Sequence, residues 1–593
     1  MITLAWRVLG IAFSLAVAAA AALLWQVEPQ TWAPDLSGFS GTLYAVRTDD
    51  LTVLMLAIVG VVASCVQVYS IGYLHGEPRT ASYTAIVTLF TAAMVTVVVA
   101  DSLFLLLIGW EVMGVCSYLL IGQYWERRDA RAGAVKAFLM TRFGDVGFLF
   151  GIFVLGVAGG SFRISELEPS GSGLATVGTL LLLCGVVGKS AQIPLQTWLP
   201  DAMPGPAPVS ALIHAATMVA AGVFLVARMF DVFVAAPGTL SVLAVIAALT
   251  MVVAALCATA AVEVKRILAW STVSQLAVMF GGLALGTDDG RHAGLFHLLT
   301  HAAFKALLFL CAGVLLHQVG SATFAVLRRR ARRGVLRKLM PVTFGTMTIG
   351  LAALAGVPGL SGFFSKDSVV EAAWHAARDG RGDTSWPAWL VLVAVLVTGM
   401  LTAFYCTRLW LWVFFGSPAP LGGLGAFEEE DLGDSSAVDA QEQPYHPLRD
   451  GSPWMLAPMV LLALATLVLG YAEASQLDPA VAGVTTLALM FGAVPAYSLW
   501  KRGADPRPAV LEREFGFDAF YQLAVVRPVR FAAGLVVTGD RDVIDGWVRG
   551  FGKAGTLASD GFRRLQTGNV QTYLTAAVLG VVALAVLAGV IAS

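Results

Sequence analysis

Apolar residues run through this chain in blocks of about twenty, the length a helix needs to cross a bilayer, separated by short polar breaks. The blocks fall at 3–26, 50–72, 84–100, 102–122, 136–158, 174–197, 208–230, 238–260, 266–286, 292–316, 340–357 with a continuation past a break to 376, 386–415, 454–472, 479–500 and 570–592. This pattern predicts an all-α polytopic membrane protein of about fifteen transmembrane helices. Residues 2–26 end in an Ala-rich run resembling a secretory leader, but the apolar stretch is longer than such a leader's core and no soluble domain follows. It is expected to be an uncleaved first span.

The polar stretches carry orientation. "ERRDARAGAVK" (126–136), "VEVKR" (262–266), "LRRRARRGVLRK" (327–338) and "LWKRGADPR" (499–507) fall on one side if the spans alternate. Lys and Arg accumulate on the cytoplasmic face, so the expected N-terminus is inside and the C-terminus outside, in a cell inner (cytoplasmic) membrane. Residues 416–453, acidic and rich in Gly, Pro and Ser, read as a flexible cytoplasmic loop. Residues 508–567 interleave apolar positions with Asp542, Asp545, Arg549, Lys553, Arg563 and Arg564. That is too polar to cross lipid and too patterned for a linker, and it suits amphipathic helix along the membrane surface; the plain alternative is a juxtamembrane tail.

Composition sharpens this. The chain is 58% hydrophobic and 13% charged, against roughly a quarter charged in soluble domains. A net charge of −1 gives no basic footprint for nucleic acid, and none is expected as a partner. Cys65, Cys116, Cys184, Cys257, Cys311 and Cys406 each stand alone in apolar segments, without CxxC or CxxH spacing, so neither disulfides nor a metal or cluster site is expected.

An ionisable side chain at the bilayer centre costs about 2.5–3.5 kcal/mol on insertion scales, which makes each one a functional candidate. The candidates are Glu111, Asp145, Lys189, His214, the stripe His297, His301 and Lys305, and the pair Lys366 and Asp367. One histidine alone would be a packing residue, and one lysine near a helix end would snorkel to the interface. The stripe resists both readings, because residues four apart share one helix face and Lys305 lies near mid-span. Lys189 precedes Pro194 and Pro200, and Lys366 follows Pro358, Gly359 and Gly362. Broken helices in lipid occur where protein or a wet cavity satisfies the freed backbone, and paired breaks mark inverted-repeat transporters. The expected organisation is N-terminal spans in 1–83, two groups of spans, 84–230 and 238–415, each holding one of the paired breaks, the acidic loop 416–453, two further spans in 454–500, the lateral region 508–567 and a last span at 570–592.

Several segments carry a resemblance. "GWEVMGVCSYLLIG", "KSAQIPLQTWLPDAMPGPAPVSALIHAATMVAAGV", "VKRILAWSTVSQL", "HAAFKALLFL" and "PGLSGFFSKD" resemble the antiporter-like subunits of respiratory complex I, the proton-pumping NADH:quinone oxidoreductase, above all the distal one, subunit L of bacteria and subunit 5 of mitochondria. "GFDAFYQLAVVRPVR", "DRDVIDGWVRG" and "RRLQTGNVQTY" resemble that subunit's lateral helix and last span. The family has one more span at its N-terminus, and its usual Asp before the "IKR" motif is Glu263 here.

The resemblance implies two inverted five-helix repeats, a first half-channel in 84–230 and a second in 238–415, an anchoring role for 570–592, and a role for each charge. Glu111 and Lys189 would form the ion pair of the first half-channel, tuned by Asp145. His214 follows, His301 and Lys305 make the central relay with His297 beside it, and Lys366 and Asp367 lie on the exit side. Histidine suits a relay because it titrates near neutrality. No cofactor is expected in this chain, whose Gly-rich segments lack the strand–loop–helix setting of a nucleotide site; flavin, iron–sulfur clusters and quinone would belong to partner subunits. The implied partners are the lipid bilayer and the other membrane subunits, with the lateral helix against the adjacent antiporter-like ones. A Mrp-type cation/proton antiporter, or the membrane module of a related hydrogenase or bicarbonate-uptake system, is the alternative.

Overall fold

Breakers and caps cut this apolar chain into helices, and where they fall decides where charges are held. The computed structural model describes residues 2–33, 43–168, 171–330, 335–380, 385–416, 448–476 and 478–592. It divides into two units, one ending at Phe515 and one beginning at Gly516.

The first unit opens with α1 (Ile2–Leu24), a two-stranded antiparallel ribbon of β1 (Gln30–Trp32) and β2 (Val46–Thr48), and α2 (Asp50–Tyr73). It continues through α3 (Thr80–Val99), α4 (Leu103–Ile121), α5 (Arg128–Ala158) and α6 (Gly173–Lys189). Then come α7 (Ala207–Ala215), α8 (Ala220–Arg228), α9 (Pro237–Ala260), α10 (Val264–Ala284) and α11 (Asp288–Val319). The unit closes with α12 (Pro341–Ala355), α13 (Ser361–Asp379), α14 (Trp386–Phe414), α15 (Pro453–Val468) and α16 (Pro479–Lys501). Short polar side chains start several helices: Asp49, Ser102, Ser172 and Thr287 each accept a backbone N–H of the first turn.

The chain is a multi-pass membrane protein, with fourteen described helices long and apolar enough to cross a bilayer. The pieces α7 and α8, and all of α10, are enclosed by other helices on every side, while α1 and α16 expose most of theirs. The centre of the unit is therefore protein-lined, and buried charge there is shielded from lipid.

Among the described residues, three spans are discontinuous. The block expected at 174–197 stops being helical at Lys189, because Pro194 and Pro200 prevent continuation, and resumes only as the turn Trp198–Asp201. The block at 340–376 divides into α12 and α13 around Gly356 and Gly359, whose φ angles of 85° and 87° suit glycine. The block at 208–230 also breaks, between α7 and α8, with no proline or glycine at the break. There the Thr217 hydroxyl donates to the Leu212 carbonyl at 2.7 Å, competing with the Ala216 N–H, whose bond to the same oxygen is long at 3.5 Å. In addition, α5 begins at Arg128, well before the expected apolar start at 136. Residues 417–447 of the expected acidic loop lie outside the described residues.

In the second unit, helix runs with two π turns from Phe517 to Leu565, and α17 (Arg527–Thr538) and α18 (Asp545–Leu565) are its long regular pieces. At 1.5 Å per residue it is roughly 70 Å long, more than twice the hydrocarbon thickness of about 30 Å, so it is no simple span. The last helix, α19 (Val570–Ala592), is apolar throughout and has span length.

Candidate functional site

Helices α5 and α6 approach closely because glycine faces backbone. A Cβ at Gly144 would lie 2.6 Å from the Cys184 carbonyl oxygen, and one at Gly151 would lie 2.7 Å from the Leu182 nitrogen. Such small-residue contacts let membrane helices meet backbone to backbone. Asp145, next to Gly144, and Lys189, next to Gly188, are thereby brought together: their carboxylate and ammonium stand 3.4 Å apart, both buried. Trp110 Nε1 donates to Asp145 Oδ1 at 2.7 Å, and its ring, stacked on Phe148, lies 5.7 Å from Lys189 Nζ. Gly114 leaves the room this needs, since a Cβ there would come within 2.5 Å of Lys189 Nζ.

Glu111 is not the partner of Lys189. It forms a close ion pair with Arg142, whose Nη2 also donates to the Glu111 carbonyl at 3.1 Å and whose Nη1 lies 3.8 Å from Asp145. The first half thus holds a four-member chain, Glu111–Arg142–Asp145–Lys189, alternating in charge from a part-exposed carboxylate to a buried ammonium. The physical reason is spacing: Arg142 and Asp145 are one turn apart on α5 and face α4 and α6 together.

The central stripe lies on α11. His297, His301 and Lys305 have no exposed surface. His297 Nδ1 meets the Ser365 hydroxyl at 2.9 Å and Nε2 meets Gln275 Oε1 at 3.2 Å, so it bridges α10 and α13. The His301 ring centroid lies 6.1 Å from that of His297, and neither of its nitrogens has a hydrogen-bond partner. Lys305 donates to the Ser271 hydroxyl at 2.7 Å and, at 3.5 Å, to the Leu268 carbonyl. Among the described residues it has no carboxylate in ion-pair range. His214, on α7 just before its break, packs its ring against Phe309 at 4.6 Å and leaves Nδ1 unpartnered.

Lys366 and Asp367 lie in the second turn of α13, after the glycine break. Lys366 donates to the Leu354 carbonyl, one of those the break frees. Asp367 Oδ1 accepts from Thr485 of α16 at 2.9 Å, and Oδ2 is unpartnered. All nine candidate side chains lie on helices of the first unit, eight of them buried and Glu111 part-exposed. Direct contacts join Asp145 to Lys189, and π-system proximity joins His297 to His301; no hydrogen bond or ion pair links Lys189 to His214, or Lys305 to Lys366.

Sequence reasoning missed four cations, three of them buried and Arg142 part-exposed. Besides Arg142, Arg228 pairs with Asp49 at 2.5 Å and donates to Thr52, and Lys265 donates to the Met203 and Gly205 carbonyls. Arg408 holds Asp505 through two nitrogens at 2.7 and 2.9 Å and donates to the Ala261 carbonyl at 2.7 Å. Each lies in or at the end of an apolar block, where hydropathy alone cannot distinguish a snorkelling side chain from a paired one.

Residues 100–401 match the family model described as "NADH:quinone oxidoreductase/Mrp antiporter, TM", and residues 39–84 match "NADH-Ubiquinone oxidoreductase (complex I), chain 5 N-terminus". The chain is 36% identical to subunit L of the F420H2 dehydrogenase of Methanosarcina mazei, over 93% of this chain and 88% of that one. It is 40% identical to NADH-quinone oxidoreductase subunit L of Pseudomonas aeruginosa, over 65% of this chain and 61% of that one. Its fold is similar to a solved chain of the Mrp complex of a Dietzia species, with a TM-score of 0.65 and 27% identity, covering 99% of this chain and 60% of that one.

Proposed function

This chain belongs to the NADH:quinone oxidoreductase/Mrp antiporter transmembrane family, and from that premise we propose that it is the proton-translocating, antiporter-like subunit of a membrane oxidoreductase of the complex I type. The observation that carries the reading is the fully buried row His297, His301 and Lys305, where, among the described residues, both His301 nitrogens are without a hydrogen-bond partner and Lys305 has no carboxylate in ion-pair range. Permanent charge in such a place is costly, whereas groups that gain and lose protons in turn make a conduit. The names of the curated relatives favour this reading over a stand-alone Mrp-type antiporter.

In this reading protons enter from the cytoplasm past Glu111 and Arg142. Asp145 divides its attraction between Arg142 and Lys189, so a small displacement of α5 against α6 changes how firmly Lys189 holds its proton. Release sends the proton by water and His214 to Lys305, then along His301 and His297 towards Lys366 and Asp367, and out. The segments 84–230 and 238–415 act as two half-channel repeats, with the broken spans at Lys189 and Lys366 as their counterparts. Electron transfer, with its flavin, iron–sulfur clusters and quinone, belongs to partner subunits of an inner membrane complex. The helix of residues 517–565 lies along the neighbouring antiporter-like subunits on the cytoplasmic side, and α19 anchors it.

The test is purification and pumping together. The chain should co-purify with flavin and iron–sulfur absorption, and Lys305→Met should uncouple proton movement from quinone reduction. A chain purified without redox partners that exchanges cations for protons by itself would replace this reading with the antiporter one.

A further inference from the structure

The nine titratable residues end at Asp367, which is still buried, so something else must connect the track to the surface. Beside Lys366 lies a cavity of about 30 Å³, lined among others by Gln275, Thr398, Thr402 and Thr485. That is room for a water or two. Two polar atoms of its lining residues, Gln275 Nε2 and Thr398 Oγ1, are buried without a hydrogen-bond partner, a condition that costs free energy unless water satisfies them. Gln275 binds His297 through its other amide atom, and Thr485 donates its hydroxyl to Asp367. The cavity therefore touches both the last histidine of the stripe, through Gln275, and the buried acid, through Thr485.

Beyond Asp367 the geometry continues outward. Glu371 is one turn further along α13, on the same face, and is partly exposed. It lies within electrostatic reach of His375, Asp478 and Asp289, while Asp367 interacts with Glu371 and Asp478. Asp289 of α11, Glu371 of α13 and Asp478 at the start of α16 thus form, with Asp367, one electrostatically coupled group of carboxylates. Asp367 Oδ2, unpartnered and buried, is a free acceptor at the inner end of that group.

We propose that Thr485, Thr398 and Glu371 build the terminal limb of the proton path. Water in the cavity, positioned by Thr398 and Gln275, takes a proton from Lys366 Nζ. It passes a proton to Thr485 Oγ1 as the Thr485 hydroxyl proton moves to Asp367 Oδ1. Asp367, now a carboxylic acid, gives a proton to Glu371, which releases it to the outside. The water, Asp367 and Glu371 return to their starting states when the proton leaves and the Thr485 hydroxyl rotates back towards Asp367; Lys366 is recharged by the next proton arriving from the His297 side, and no electron is moved. Thr398 acts as a positioning residue; Thr485 and Glu371 carry the proton. This limb rests on the reading of the chain as a proton conduit, so its test must separate the two.

The experiment uses the whole complex in inside-out membrane vesicles, measuring lumen acidification per electron delivered to quinone, with assembly checked on native gels. Thr485→Val keeps the shape and removes the hydroxyl; Thr485→Ser restores it; Glu371→Gln alters a partly exposed position that folding tolerates. The expected result is a several-fold loss of acidification per electron in Thr485→Val and Glu371→Gln, with near-normal values in Thr485→Ser. If both pump normally while Lys305→Met does not, the limb is overturned and the conduit stands. If Lys305→Met also pumps normally, both fall. Equal damage in Thr485→Ser and Thr485→Val would overturn the hydroxyl's role.

Discussion

The carboxylate of Asp145 stands 3.4 Å from the ammonium of Lys189, and both side chains are buried where α5 and α6 touch backbone to backbone. The pair exists only because glycines let those helices meet. Charge placement in this protein is a packing problem before it is an electrostatic one.

Removing one member of a buried pair strands the other, at a cost of about 3–5 kcal/mol. Asp145→Asn should therefore lower both pumping and the heat resistance of the complex. Glu111→Gln, at a partly exposed carboxylate paired with Arg142, should lower pumping while leaving heat resistance nearly unchanged. Residual assembly after stepwise heating, followed on native gels beside vesicle acidification, separates the two. Equal heat sensitivity in both variants would contradict the assignment of Asp145 as the buried partner.

The same contact predicts the effect of one methyl group. Gly144→Ala places a Cβ against the Cys184 carbonyl and forces α5 from α6, an overpacking cost of about 1–3 kcal/mol. The Asp145–Lys189 distance grows with it. Pumping should fall, and Gly171→Ala, whose Cβ meets only the Ala235 carbonyl oxygen at 3.6 Å, should be silent in the same acidification assay.

Much of this was legible in the residues, and the parts that were not share a cause. The breaks after Lys189 and before Lys366 are written in Pro194, Pro358 and Gly359, and the His297–Lys305 stripe follows from helical spacing alone. The break between α7 and α8 has no such mark, because what competes for the Leu212 carbonyl there is a threonine hydroxyl, and threonine is common inside apolar blocks. The partner of Lys189 was out of reach for a related reason. Choosing between Glu111 and Asp145 needs the depth at which two helices cross, and that is set by Gly144 and Gly188, which are silent in a hydropathy pattern. Arg142 sits within an apolar block and reads as one more tolerated charge until its two carboxylates are seen.

Arg408 and Asp505 make a different prediction, one about structure without transport. The guanidinium is buried and spends its donors on Asp505 and the Ala261 carbonyl, so Asp505→Asn leaves it partly unsatisfied, at about 3 kcal/mol or more. The amount of assembled complex should drop. Pumping per assembled complex should not, because neither residue is on the proposed track.

At the N-terminus of α2, Asp49 is held as a carboxylate. Burial pulls its pKa up, but Arg228 and the Thr52 hydrogen bonds outweigh this, and the net shift is downward. A depressed folded value means stability that is present above the ordinary carboxylate range near 4 and is lost as pH falls through the lower folded value. Asp49→Asn should remove part of that acid-induced loss of stability, read as the heat resistance of the complex between pH 5 and roughly pH 3. An unchanged acid profile would show that Arg228 does not depend on this charge.

The central lysine allows the sharpest test. Lys305 donates to Ser271 and Leu268 and has no carboxylate in ion-pair range among the described residues. A structural lysine would tolerate Arg if it only supplied charge, or Met if it only filled space. A relay tolerates neither, because Arg holds its proton with a pKa above about 12 and Met never had one. Both variants should therefore lose pumping with quinone reduction continuing in part. His301→Ala should lose less, since water can occupy the space and carry protons, and Ser271→Ala least, since the Leu268 carbonyl still accepts from the ammonium. The ordering is read as acidification per electron, normalised to assembled complex. Full pumping by Lys305→Arg would make the stripe a fixed charge, and the relay through α11 would have to be given up.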